Sequence, residues 1–163
     1  MTRIFASALT REAFAPFGDV IEPGDAPDRL INQGLCGRHH DLARLDFTDG
    51  RAGISLFDAR ACHFPYRLEM VERHPLGSQA FLPLDGVAML VTVASDDGGK
   101  PGRPVAFVSA PGQGVNILRN TWHGVLAPIG APGRYGVIDR IGPGDNLREH
   151  WFETAFVIES GQT

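Results

Sequence analysis

Glycine and proline recur at short intervals along the whole chain, with 20 glycines and 12 prolines among 163 residues. Proline ends helices and glycine weakens them, so a chain with this spacing has little room for long helices. Between these residues lie apolar runs with the usual length and spacing of strands in a β-sandwich or a jelly-roll barrel. The sequence therefore predicts an all-β fold. The predicted strands are Ile54–Arg60, Met70–His74, Gln79–Pro83, Val87–Ala94, Val105–Ala110, Gly114–Leu118, Val125–Pro128 and Tyr135–Arg140.

One short helix is predicted near the N-terminus, over Leu9–Ala15. Thr10 or Ser7 is the expected N-terminal cap, and Pro16 ends the helix. Later in the chain, the polar segment Ser95–Pro104 is rich in glycine and proline and separates two apolar runs. We interpret it as a long hairpin loop and not as a linker, so residues 1–163 are expected to form a single domain.

Charge and cysteine content exclude several functional classes. The formal net charge is −4, and the fourteen arginines and single lysine are scattered, so no basic stripe is available for nucleic acid. No apolar stretch is long enough to span a bilayer, and no secretory signal is evident, so no membrane partner is expected. Two cysteines, Cys36 and Cys62, are too few for a disulfide framework, and we expect both to be small buried hydrophobic residues. These features favour a cytoplasmic protein.

Polar residues able to bind a metal or move a proton recur with strand spacing at Glu72, His74 and Gln79. Side chains alternate along a strand, so positions 72 and 74 face the same side and Arg73 faces away. With His123, they form a set of nitrogen and oxygen donors that suits Ni, Mn, Fe or Zn. The alternative is that all four are buried polar groups satisfied by the backbone.

The spacing Glu72-x-His74-x4-Gln79-x6-Gly86 resembles the first motif of the cupin family, with Glu in the first histidine position and Gln in the glutamate position. The segment Gly112–His123 resembles the second motif, with Asn120 where a turn glycine is usual. The resemblance implies a cupin-type jelly-roll β-barrel with Glu72, His74, Gln79 and His123 lining its interior as candidate metal ligands.

Longer stretches resemble the ureidoglycolate lyase family of cupins. They are Ile31–Ala43, Glu72–Pro83, Gly114–His123 and Ile138–Arg140 with Asp145–Asn146. The resemblance implies a lyase that cleaves (S)-ureidoglycolate to glyoxylate and urea in allantoin and purine catabolism. It also implies a homodimer acting on a small-molecule substrate, with a divalent metal such as Ni²⁺ and no organic cofactor.

Roles for individual residues follow from the resemblance and from the chemistry of the substrate. Cleavage needs a base for the substrate hydroxyl and an acid for the leaving nitrogen, for which the candidates are His74, His123 and Glu72. Arginine binds carboxylates in a bidentate manner, and Arg119 is the candidate for the substrate carboxylate. The other candidate substrate-binding residues are Asn116, Gln79 and Asp139.

Two other functions remain open at this point. One is an amidohydrolase that attacks the ureido carbonyl and releases ammonia, and the other is a non-catalytic cupin that binds a small acid. The cluster Arg38-His39-His40-Asp41 is interpreted as surface or interface, because adjacent side chains on an extended segment face opposite ways. Arg38, His40 and Asp41 nevertheless match the family segment.

Overall fold

The fold is almost entirely β-structure arranged as two facing sheets. The structure is a computed structural model and describes residues 2–161. Its strands are β1 (Arg3–Phe5), β2 (Ser7–Ala8), β3 (Gly18–Ile21), β4 (Arg29–Ile31), β5 (Cys36–Arg38), β6 (Arg51–Ala59), β7 (Tyr66–Arg73), β8 (Gln79–Pro83), β9 (Met89–Ala94), β10 (Asp96–Asp97), β11 (Lys100–Pro101), β12 (Val105–Val108), β13 (Gly114–Ile117), β14 (Trp122–His123), β15 (Ala127–Pro128), β16 (Gly133–Ile141) and β17 (Arg148–Glu159).

The larger sheet has the order β1-β17-β7-β14-β9-β12-β2, and β15 also pairs with β9. The smaller sheet has the order β3-β13-β8-β16-β6, which makes β6 an edge strand. Two small hairpins, β4–β5 and β10–β11, lie outside these sheets. The two sheets form a nearly closed barrel, so the predicted all-β, cupin-type jelly-roll fold is confirmed.

The main hydrophobic core fills the space between the two sheets. Val91 and Val93 enter it from the larger sheet, and Val115, Tyr135 and Val137 enter it from the smaller one. A second cluster, which includes Leu90 and Ala94, alternates with the first along β9 and therefore lies on the other face of the larger sheet. The site described below occupies the part of the interior that these apolar side chains leave free.

The single α-helix of residues 2–161, α1 (Arg11–Phe14), lies within the predicted segment. The Thr10 side chain accepts a hydrogen bond from the Ala13 amide at 3.2 Å, so Thr10 is the N-terminal cap. Phe14 is fully buried in the main core and fixes the helix against the barrel. In residues 2–161 there is no helix long and apolar enough to cross a membrane.

Two of the predictions for individual segments need correction. Cys62 is buried as expected, but Cys36 is exposed because it lies on the projecting β4–β5 hairpin. The strand predicted over Val125–Pro128 is reduced to Ala127–Pro128, since the preceding residues form an irregular wall of the interior cleft. Ser95–Pro104 does form a hairpin connection between β9 and β12, as expected, and contains β10 and β11.

A segment that we call the strap, residues 41–50, crosses the outer face of the smaller sheet. The buried Arg140 side chain donates hydrogen bonds to the carbonyls of Thr48 and Asp49. Asp19 accepts hydrogen bonds from the Arg44 amide at 2.8 Å and from the Arg44 guanidinium at 2.9 Å. These polar contacts hold the strap on a face of the sheet that is opposite to the barrel interior.

Candidate active site

Strand register brings His123 and Glu72 side by side. His123 on β14 pairs with Glu72 on β7 and, on its other side, with Val93 on β9. Val93 belongs to the core between the sheets, and residues level with one another on neighbouring strands share a face, so Glu72 and His123 also point into the barrel. His74 follows β7 and, by alternation, points to the same side.

Three side chains converge at this point. Glu72 Oε1 lies 3.8 Å from His74 Nε2, and the imidazole centroids of His74 and His123 are 5.2 Å apart. One potential ligand atom from each of Glu72, His74 and His123 lies within 4.8 Å of the other two. An ion placed among them could therefore contact all three.

Hydrogen bonds define which imidazole nitrogen faces the cleft with a lone pair. His74 Nδ1 lies 2.8 Å from the backbone oxygen of Asn146, and His123 Nδ1 lies 3.0 Å from that of Gly124. A carbonyl oxygen only accepts hydrogen bonds, so each Nδ1 carries a hydrogen, and in the neutral imidazole each Nε2 keeps a lone pair. Both Nε2 atoms are buried and have no hydrogen-bond partner within residues 2–161. This arrangement is typical of histidines that bind a metal, and these residues fit a divalent ion.

The smaller sheet contributes two polar residues to the opposite wall. Gln79 Nε2 donates a hydrogen bond to Asp139 Oδ2 at 3.3 Å, whereas Gln79 Oε1 is buried without a partner in residues 2–161. Glu72, Gln79 and His123 line a common open cleft of about 380 Å³, with Phe57 and Phe81 as its apolar walls. This volume falls in the range of small-molecule sites.

Burial changes the acid–base properties of two residues in the cluster. Burial raises the pKa of Glu72, the neighbouring His74 opposes this effect, and Glu149 adds to it. Burial, with a smaller contribution from His74, lowers the pKa of His123 to about 4, although the hydrogen bond to Gly124 acts in the opposite direction. His123 is therefore neutral near pH 7, as a metal ligand or a base must be.

Other predicted site residues lie elsewhere. Asn116 is buried on the outer face of the smaller sheet, where its amide donates hydrogen bonds to Asp19 and to the Arg44 carbonyl at 3.0 Å each. The Arg119 guanidinium forms an ion pair with Asp46 at 2.9 Å and a hydrogen bond with Thr48. The structure thus brings together Glu72, His74, Gln79, His123 and Asp139, but it does not bring Asn116 and Arg119 to them. Substrate binding by Asn116 and Arg119 stays a prediction.

Arg73 faces away from the cluster, as the strand alternation predicts. Its guanidinium donates a hydrogen bond to Asp96 at 2.6 Å and stacks over the Trp122 ring, 4.4 Å from the ring centroid. Trp122 also donates to Asp96 at 2.9 Å. This contact on the outer face ties β7 to β14 and helps to hold Glu72 and His123 in register on the inner face.

The turn that precedes His123 depends on Asn120. Asn120 has a positive φ of 64°, which asparagine tolerates better than most residues, and this explains why it occupies the usual glycine position. Its amide donates a hydrogen bond to the His74 carbonyl at 2.9 Å, so the turn is attached directly to the segment that carries the other histidine. A side chain on Gly124 would collide with Thr92, which explains the glycine immediately after His123.

Sequence reasoning did not identify the roles of Asn146 and of the aromatic walls. Asn146 was noted only as part of a family block, and no spacing rule shows that its carbonyl reaches a histidine 72 positions away. Its side chain also accepts a hydrogen bond from the Leu76 amide at 2.7 Å, so Asn146 holds His74 and the following turn together. Phe57 was predicted only as part of a strand.

The fold and the cluster together define a jelly-roll β protein of the cupin class with a histidine–carboxylate site between its sheets. Within that class, this chain belongs to the ureidoglycolate lyase family, whose family model matches residues 1–159. A ureidoglycolate lyase of Rhodobacter capsulatus is 68% identical over 160 residues, which cover 98% of this chain and 99% of that protein. Ureidoglycolate lyase 2 of Rhizobium meliloti is 53% identical and covers 93% and 94%. A ureidoglycolate lyase of Mesorhizobium japonicum is 51% identical and covers 97% and 98%.

Proposed function

We propose that this protein is a ureidoglycolate lyase that cleaves (S)-ureidoglycolate to glyoxylate and urea in purine catabolism. The observation that carries the proposal is the cluster of Glu72, His74 and His123, in which the Nε2 atoms of both histidines are buried without a partner in residues 2–161. The chain that contains this cluster belongs to the ureidoglycolate lyase family. We further propose that Glu72, His74 and His123, with Gln79 Oε1 beside them, hold a divalent ion such as Ni²⁺. When bound, the ion would supply a Lewis acid for the substrate oxygens.

The reaction requires only the transfer of one proton within the substrate. Ureidoglycolate carries a hydroxyl, a carboxylate and a ureido nitrogen on one carbon. The hydroxyl loses its proton, the oxygen electrons form the aldehyde C=O bond, the C–N bond breaks, and the leaving nitrogen receives the proton. One group that accepts a proton from oxygen and returns it to nitrogen therefore satisfies the chemistry.

Glu72 is suited to this proton transfer. Without a bound ion, burial raises the pKa of Glu72 and moves the carboxyl closer to working pH, where a proton carrier is most effective. In their neutral forms, His74 and His123 present Nε2 lone pairs to the cleft, which suits them to bind an ion or to accept a proton. Phe57 and Phe81 exclude water from one side of the substrate. This favours loss of urea from the substrate over attack by water.

Three further proposals concern the setting of the enzyme. Residues 1–163 form one domain, which is supported by the parallel pairing of the N-terminal β1 with the C-terminal β17. The protein is cytoplasmic, which agrees with two free thiols at Cys36 and Cys62. It is a homodimer, which agrees with the exposed edge strand β6.

The direct test follows the nitrogen product. Purified protein is incubated with (S)-ureidoglycolate, and urea, ammonia and glyoxylate are measured separately over time. Urea and glyoxylate should appear in equal amounts, with no ammonia. Ammonia in place of urea would identify an amidohydrolase, and binding without any product would identify a non-catalytic binding protein.

A further inference from the structure

The β4–β5 hairpin, which we call the arm (residues 29–38), projects from the barrel. Its two strands pair only with each other, and its tip is fixed by positive φ angles at Asn32, Gln33 and Gly34. At its base, the His40 amide donates a hydrogen bond to Asp28 at 2.8 Å. About five residues from base to tip give the arm a reach of about 16 Å. It is therefore a defined projection and not an irregular loop.

The arm is apolar on its surface in a way that a single copy does not explain. Leu30 is 68% exposed and Leu35 is 88% exposed, and Cys36, the first residue of β5, is exposed as well. Isolated exposed apolar residues are common, but several on one small projection indicate an interaction surface.

The arm also carries two arginines without counter-ions. Arg29 and Arg38 are directly opposite each other in the hairpin register, which places two positive charges on neighbouring strands. Within residues 2–161, neither forms an ion pair, whereas eight other arginines do. Like charges at opposed positions destabilise a hairpin, so this pair is suited to an anion supplied from outside the arm.

A matching apolar surface lies on the outer face of the smaller sheet. Ile54 on the edge strand β6 is 79% exposed, and Leu56 is 64% exposed. The register places Leu56 level with Gly136, and Gly136 with Leu82, so the apolar surface continues across three strands. Leu84, which is 57% exposed, borders it. The unpaired edge of β6 and this apolar face together form a surface typical of strand-mediated association.

The edge strand that carries this surface also forms one wall of the cleft. Phe57 and Ala59 of β6 line the cleft, on the strand whose other face carries Ile54 and Leu56. Of the charged residues in 2–161 that border the cleft, Glu72 has its side chain in the site, whereas the Asp58 carboxylate is paired with Arg134 at 2.7 Å on the outer face of β6. Asp139 is bonded to Gln79. No arginine or lysine of residues 2–161 lines it, although the proposed substrate is a carboxylate.

We propose that the arm of one copy packs over β6 and the Ile54/Leu56 surface of a second copy in a two-fold dimer, and that Arg38 then enters the mouth of the second copy's cleft to bind the substrate carboxylate. The proposal rests on the proposed function for the identity of the anion. Two-fold symmetry makes the contact reciprocal, so each copy completes the other's site. Both the arm and the Ile54/Leu56 surface are apolar, and Arg38 brings to the cleft the positive charge that the lining in residues 2–161 lacks. Complementarity of this kind fixes orientation in interfaces.

The test is complementation between copies. One chain carries His123→Ala and the other carries Arg38→Ala, with different affinity tags, and the doubly tagged dimer is purified after co-expression. If Arg38 acts across the interface, one of the two sites in each mixed dimer is intact, and kcat/KM, measured at substrate concentrations below KM, should recover to about half that of the wild type. If Arg38 acts within its own chain, both sites are defective and kcat/KM does not exceed that of the Arg38→Ala parent.

Single variants supply the controls. Arg38→Ala alone should raise the KM for ureidoglycolate about tenfold or more with a smaller effect on kcat, because it removes a charge-assisted contact to the carboxylate. Arg60→Ala, which removes another arginine next to the β6 wall, should leave KM unchanged. A wild-type KM in Arg38→Ala, a rise in KM in Arg60→Ala alone, or the absence of a doubly tagged dimer would overturn the proposal.

A second measurement does not depend on the activity. Ile54→Cys places a thiol on β6 that a short bifunctional maleimide should join to the native Cys36 of another copy, giving a dimer on a denaturing gel. The same variant with Cys36→Ser should remain monomeric on the gel. If the wild-type protein releases no urea, the proposed function alone is contradicted. If no cross-linked dimer forms, the arm contact is contradicted.

Discussion

At the scale of single residues, the orientation of two imidazoles is the feature with the most chemical content. Each ring donates its Nδ1 hydrogen to a backbone carbonyl, of Asn146 for His74 and of Gly124 for His123. Each ring therefore presents Nε2 to the same point beside Glu72. This arrangement requires no side-chain partner for the outer nitrogens, and the backbone of two separate loops defines it.

Replacement of either histidine should abolish most of the activity. His74→Ala and His123→Ala should each lower turnover about 100-fold or more, because each removes a ligand or proton acceptor that other residues of the site cannot replace. Initial rates of urea release measure this. His63→Ala, which removes an exposed histidine outside the cleft, is the control and should retain wild-type turnover. Variants that are folded by circular dichroism and retain wild-type turnover would exclude this cluster.

Glu72→Gln separates metal binding from proton transfer. Glutamine keeps an oxygen donor of the same shape but cannot carry a proton between pH 5 and 9. Turnover should fall about 100-fold, while binding of a divalent ion weakens much less than in His123→Ala. Isothermal titration with Ni²⁺ and urea release are measured on the same preparations. Equal losses of ion binding in the two variants would assign Glu72 to the metal alone.

Asn146 should act through His74. Asn146→Ala removes the hydrogen bond from the Leu76 amide and frees the loop whose carbonyl orients the His74 ring. The expected result is a 10–100-fold weaker affinity for the metal, the usual effect of losing an outer partner of a ligand. Asn146→Asp keeps the acceptor for Leu76 and should restore most of the affinity. An unchanged affinity in Asn146→Ala would show that the backbone holds His74 without this contact.

At the scale of elements, sequence patterns predicted the strands that form apolar runs between glycine, proline or aspartate residues, and they missed a long strand that lacks this pattern. β7, β8, β13 and β16 were predicted because apolar residues bounded by glycine or proline mark them clearly. β17 was missed although it has twelve residues, because its register with β7 shifts between Trp151 and Phe156. A bulge reverses which side chains face inward, so period-two alternation is lost along the strand.

The strap is held by contacts that sequence spacing does not reveal. Asp19 and Arg44 are 25 positions apart, and Asn116 joins them from a third segment. Burial opposes the charged form of Asp19, but hydrogen bonds from the Arg44 amide, the Asn116 amide and the Arg44 guanidinium outweigh it and lower the pKa of Asp19. Asn116, which we predicted as a substrate-binding residue because it matches a family block, belongs to this same network through its hydrogen bonds to Asp19 and Arg44.

Asp19→Asn should therefore destabilise the protein in a pH-dependent way. At pH 7 it should lower the free energy of unfolding by about 1–3 kcal/mol, the usual effect of losing hydrogen bonds to a charged group. Because the folded pKa lies below the unfolded value of about 3.9, this stabilisation is present above that value and is lost as the pH falls through the folded pKa.

Denaturant midpoints at pH 7, 5 and 3 test this. The difference between wild type and Asp19→Asn should persist from pH 7 to pH 5 and shrink at pH 3. Glu69→Gln, which breaks the exposed ion pair with Arg67, is the control and should change little at any pH. A difference that is constant down to pH 3 would mean that the charge of Asp19 does not stabilise the strap.

At the scale of the whole molecule, the jelly roll places donors from two sheets around one interior point. Glu72, His74 and His123 come from the larger sheet, and Gln79 with Asp139 come from the smaller one. The sequence predicted this convergence for positions 72 and 74 because they share one strand. The positions of Arg119 and of the arm were not predictable, because they depend on loop geometry.

We propose above that a divalent ion held by Glu72, His74 and His123 is part of the site that cleaves ureidoglycolate. The most direct measurement is the rate of urea release by metal-depleted protein as Ni²⁺ or Mn²⁺ is added, with bound metal determined on the same samples. We expect almost no urea release before metal is added, and then a linear rise in the rate that saturates at about one bound ion per chain. The rate should not rise in His123→Ala. A metal-depleted protein that releases urea at the full rate would contradict this proposal.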